Sequence, residues 1–172
     1  MNKISPHIKT VGVTVLLSLA GIVGLIFSVS DFLTALPLII FYASITLNTY
    51  YSMRLFTTIA GAHNFLQDSV DIILVILYLF LAFNFNNPFV FMLTVTGLFI
   101  LAVTKYVLLW GKISYPQLLI KKIKIDSAGV ILCVIAFALV ISSNVSIGTW
   151  LLSLVFGIAN IILLYFRPMY RL

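Results

Sequence analysis

The chain has 172 residues, of which 63% are hydrophobic and 8% charged, and ten basic residues against four acidic ones give a net charge of +6. A soluble domain carries roughly a quarter charged residues, so this composition excludes a water-solvated globule and makes lipid the solvent for most of the exterior. The basic residues sit between apolar runs, which argues against a nucleic-acid partner and for topology signals and contacts with the anionic inner leaflet of a bilayer.

A helix needs about 20 apolar residues to cross about 30 Å of hydrocarbon. Six stretches meet or approach that length, at about 10–30, 32–53, 69–85, 88–108, 127–143 and 146–166. The predicted fold class is therefore an all-α integral membrane protein. Its six transmembrane helices form one domain of three antiparallel hairpins, each closed by a turn of a few residues. The first span follows a short basic segment, Met1 to Lys9, with no small-residue cleavage site after it, and reads as a retained helix that serves as its own targeting signal. Within it, Ala20, Gly24 and Ser28 make a stripe of small residues that lets another helix approach closely, either in this chain or in a second copy.

Asp31 stands where the second span needs an N-cap, and Pro37 inside that span is a candidate kink. Ser44 and Asn48 lie four residues apart, so they share a helix face that Tyr51 extends. The loop that follows holds His63, which reads as a solvated histidine because a metal or acid–base site needs more ligands than its neighbours supply. Asp68 and Asp71 open the third span with capping-box spacing, with Asp in place of the preferred Glu. Asn87 caps the fourth span, and Pro88 takes the first helical position, where a missing N–H is harmless. Lys105 closes that span. In a hairpin turning at Asn86 and Asn87 it reaches the depth of Asp71, so the two form an interfacial ion pair or, on the structural reading, a cap and a snorkelling lysine.

The connection at about 109–125 mixes apolar residues with Lys112, Lys121, Lys122 and Lys124, as expected of a segment lying along an anionic leaflet. Asp126 then reads as the cap of the fifth span. Cys133 is the single cysteine, which rules out an internal disulfide and a cysteine metal centre. The sixth span carries Ser153 and Gly157 at small-residue spacing, then Asn160 at a depth comparable to Asn48, and Pro168 stops it. Superposing the second hairpin on the third aligns Asp68-Ser69 with Asp126-Ser127 and Asn86 with Asn144, a trace of duplication.

With the N-terminus in the cytoplasm, all ten basic residues fall on the cytoplasmic side, as the positive-inside rule requires, and both termini are cytoplasmic. Tyr50, Tyr51, Tyr106, Trp110, Tyr165 and Tyr170 then mark the inner interface, and Trp150, Phe32 and Phe89 the outer one. The expected location is a prokaryotic plasma membrane. In outline, three hairpins with cytoplasmic ends resemble HdeD-type acid-resistance membrane proteins. The stripe from Ala20 to Ser28 resembles one in the six-span substrate-binding subunits of vitamin uptake systems. No residue role is carried over from either.

No catalytic, cofactor or metal motif stands in the chain. The leading expectation is a non-catalytic membrane component, a scaffold, accessory or stress-related subunit, with a homo-oligomer or another membrane protein as its partner. The alternative is a channel or transporter for a small neutral or weakly polar solute, with Ser44, Asn48 and Asn160 as its polar lining. The favoured reading of the same three residues is interhelical glue. An intramembrane enzyme is the weakest reading.

Overall fold

The computed structural model describes residues 6–59 and 65–166. Six α-helices follow one another: α1 Pro6–Ser28, α2 Phe32–Ile59, α3 Phe65–Ala82, α4 Pro88–Leu108, α5 Pro116–Ile141 and α6 Val145–Ile161, the last running into a π-helical turn, Ile162–Phe166. All six, α6 counted with its π turn, are long and apolar enough to cross a membrane. Lys3, His63, Arg167, Pro168, Tyr170 and Arg171 lie outside the described residues.

Turn chemistry explains the breaks between helices. At the first, Asp31 accepts from the Leu33 N–H and from the Thr34 hydroxyl, which caps α2. The Thr34 hydrogen bond, helped by the Leu33 and Thr34 backbone N–H groups and opposed by desolvation, holds this carboxyl below its ordinary 3.8. At the second, the Asn87 side chain accepts from the Val90 N–H at 3.1 Å and Pro88 opens α4. Asn86 ties the two turns together, accepting from the Ser30 N–H and donating to the Ser30 hydroxyl at 3.0 Å. At the third, Ser143 is left-handed with φ 67°; its N–H bonds Val140 O and the Asn144 N–H bonds Leu139 O. That is a complete Schellman motif ending α5.

Consecutive helices pack as the pairs α1–α2, α3–α4 and α5–α6, and further contacts of α4 with α5, α2 with α6 and α1 with α3 join the pairs. The central core is Phe41, Phe85, Phe91, Phe99 and Phe156 with Leu and Val between them. Small residues bring the backbones together. A Cβ on Gly24 would fall 1.9 Å from Ala82 O of α3, so α1 and α3 approach closely at this glycine. Gly129 sits under the Phe99 ring of α4, and Gly148 against Ala136 O of α5. Outward faces are apolar, with Phe27, Leu33 and Ile158 exposed among many others, as lipid contact demands.

The two largest departures from the expected boundaries are at α2 and α5. Helix α2 continues to Ile59, and α5 begins at Pro116, well before the expected start at about 127. The reason is a second apolar cluster at this end of the bundle: Leu55, Phe56, Tyr106, Leu109, Ile113 and Leu119 bury one another. The lysine-bearing segment is thus the first turns of α5. Lys121 and Lys124 are exposed while Lys122 is buried. Asp126 is not a cap; it lies inside α5, about 15 Å from the helix start at 1.5 Å per residue. Asp68 also lies in the first turn of α3 rather than before it. Tyr106 is no interface marker, for it is buried with its hydroxyl bonded to Ser52. Trp110 and Tyr165, by contrast, are exposed.

Candidate functional site

Residues of helices α1 to α5 line a partly open cavity of about 370 Å³. Its size falls in the range of small-molecule sites. Much of the wall is aliphatic and aromatic, including Leu17, Ile45, Leu98 and Phe99. The rest is charged. Lys9 of α1, Asp68 and Asp71 of α3, Lys105 of α4, and Lys122 and Asp126 of α5 all line it. Three of the four acidic residues in the chain therefore converge on one space.

The charges are arranged as pairs. Lys105 Nζ lies 2.6 Å from Asp71 Oδ1, a bridge between α4 and α3 that is about one-fifth to one-quarter exposed. Lys122 Nζ donates to Asp126 Oδ1 at 2.7 Å, one helical turn apart, and both side chains are almost fully buried. The Lys122 ammonium also sits 5.4 Å from the centre of the Tyr106 ring, within cation–π range. Both pairs stand on the wall of the same cavity, contributed by α3, α4 and α5. The second carboxylate oxygen of Asp126, Oδ2, is buried and has no hydrogen-bond partner among the described residues.

Hydroxyls and one amide complete the polar wall. Ser52 of α2 and Tyr106 of α4 share a hydrogen bond at 2.5 Å, and Thr49 of α2 bonds the Tyr78 hydroxyl of α3. Asn48 lies on the wall beside them.

The polar residues expected to share one lining are divided. Asn48 is at the cavity, but Asn160 of α6 donates to Ser44 O of α2 at 2.9 Å, behind the cavity wall. Helix α6 contributes nothing to the lining, so Asn160 and Ser44 hold helices together. Asp71 and Lys105, expected at similar depth, meet on the cavity wall. Of the first-span stripe, Gly24 meets Ala82 of α3 and Ala20 rests on the central core, while Ser28 bonds back to Gly24 O within its own helix.

Sequence reasoning missed Lys122 and Asp126 as site residues, although a signal was present. The buried residues of α5 are Leu119, Lys122, Asp126, Gly129, Cys133, Ala136 and Val140, spaced alternately by three and four. That is a helical stripe facing the interior, and the two charges stand in register with it. Breaking the helix at Asp126 hid the pattern. The chain matches no family model, no curated protein and no solved structure.

Proposed function

We propose that this chain is a multi-pass plasma-membrane protein of three antiparallel hairpins, both termini cytoplasmic, that binds and carries a small solute with an apolar body and a polar group. The observation that carries the reading is the cavity, with its two lysine–aspartate pairs set among apolar helices. Ions removed from water lose several kcal/mol each in solvation, and intramembrane charges mark pathways and binding sites by default. A scaffold needs close packing, which Gly24, Gly129, Gly148 and Asn160 supply. It has no need of six charged side chains around an open space. The cavity thus favours the solute reading over the scaffold reading, and the protein acts without catalysis.

The orientation follows the basic residues. Lys9 and Lys105 lie on the cavity wall, so the positive-inside rule sets this charged end of the bundle toward the cytoplasm.

The test is access to a thiol in the wall. In a Cys133→Ala background, Ala102→Cys places one cysteine on the cavity lining. Oriented proteoliposomes are treated with a membrane-impermeant maleimide from either side. Labelling from the cytoplasmic side is expected, and labelling from both sides over time marks alternating access. A thiol that resists the reagent from both sides returns the protein to the scaffold class.

A further inference from the structure

Burial sorts the charges on the cavity wall. Lys122 and Asp126 are 3% and 2% exposed, bonded to each other, and present almost no surface to a ligand. Lys105 is answered by Asp71, and Asp68 is engaged as well. Lys9 of α1 is exposed and enters no ion pair among the described residues. A second, smaller cavity of about 20 Å³ is also lined by Lys9, Asp71 and Lys105, so two lysines border that space with one aspartate. The surplus at this end of the wall is a positive charge. Away from it the wall turns apolar. Lys9, Val13 and Leu17 follow one another four residues apart on α1, a single face that passes from ammonium to aliphatic over about 12 Å. On α4 the lining runs from Lys105 through Ala102 to Phe99 and Leu98.

We infer that the solute is an amphiphilic anion, an alkyl carboxylate whose head pairs with Lys9 beside the Asp71–Lys105 bridge and whose tail lies along Val13, Leu17, Ile45 and Leu98. This rests on the proposed solute-binding role and names its substrate class. Charge sets the selectivity among tails of one length. A cation would bring a second positive charge to Lys9. A neutral alcohol fills the apolar part equally and leaves the ammonium without a counter-ion. Lys9 keeps its contact with water, so the gain is that of an exposed ion pair, about fivefold in affinity or about 1 kcal/mol.

Octanoate, 1-octanol and octylammonium share one tail and differ in the head. Each is titrated by calorimetry into the purified full chain in phosphatidylcholine nanodiscs at neutral pH, and empty nanodiscs provide the subtraction for partitioning into lipid. Octanoate is expected to bind about fivefold tighter than octanol, and octylammonium weakest. At about 1 M salt, where the Debye length falls to about 3 Å, the preference should shrink toward unity. Lys9→Met should bring octanoate to the affinity of octanol and leave octanol unchanged, while Lys9→Arg should keep the preference. Lys9 is exposed, so neither change removes a packed side chain. Equal affinity for the three probes, tighter binding of octylammonium, a preference that survives Lys9→Met, or no saturable binding each overturns the carboxylate assignment. With Ala102→Cys still labelled from the cytoplasmic side, such a result leaves the solute-binding role in place. Loss of that labelling removes both.

Discussion

Ser143 holds the only positive φ of any non-glycine residue among the described residues, at 67°. An L-residue in that region loses about 1–2 kcal/mol, which glycine avoids, while glycine loses some entropy on folding. Ser143→Gly should therefore raise stability by about 0.5–1 kcal/mol, read as a higher unfolding midpoint in detergent; Ser143→Ala should give no gain. Gly24 sets the opposite case. A methyl there would stand 1.9 Å from a backbone oxygen that cannot rotate away, so Gly24→Ala should force α1 from α3. The expected loss is about 1–3 kcal/mol, the range for overpacking. A methyl on Gly97 would meet nothing within 4 Å, and Gly97→Ala should be neutral or slightly stabilising through helix propensity. If the two alanine variants melt together, the close approach of α1 and α3 is wrong.

Within α5, the buried pair Lys122 and Asp126 stands in a stripe otherwise made of Leu, Gly, Cys, Ala and Val. Removing one partner leaves a buried charge with no counter-ion, and Asp126→Leu alone should destabilise by about 3–5 kcal/mol. Replacing both, Lys122→Met with Asp126→Leu, should recover most of that loss, because the desolvation of both ions disappears with their attraction. The same element explains a misread boundary. Apolar residues mixed with lysines looked like a segment lying on a leaflet, because periodicity in a short window cannot tell a lipid-facing helix from a core-facing one. Leu119 and Ile113 meeting Leu55 and Phe56 decided the matter.

Across the whole molecule, the bundle has two chemically different ends. One carries the short turns, where Ser30 and Asn86 are hydrogen-bonded to each other. The other gathers Lys9, Asp71, Lys105 and Lys122 around the cavity. In a Cys133→Ala background, an impermeant thiol reagent added outside intact cells should label Ser146→Cys at the short-turn end and spare Lys112→Cys at the other. Reversed labelling would overturn the proposed orientation and direct the charged end outward.

The sequence by itself determined six apolar helices, their short turns, and the caps at Asp31 and Asn87. Those features depend on hydropathy over about 20 residues or on contacts within a few residues of a helix end, and both are local. The meeting of Asp71 with Lys105 was legible as equal depth on neighbouring helices. The tertiary structure alone decided that Asn160 packs against Ser44 while Asn48 turns to the cavity, and that Asp126 is buried beside Lys122. A side chain's face depends on which helices lie beside it. In this chain α2 touches α6 and α5 touches α4, pairings set by small residues and ring shapes from distant segments, which no local pattern records.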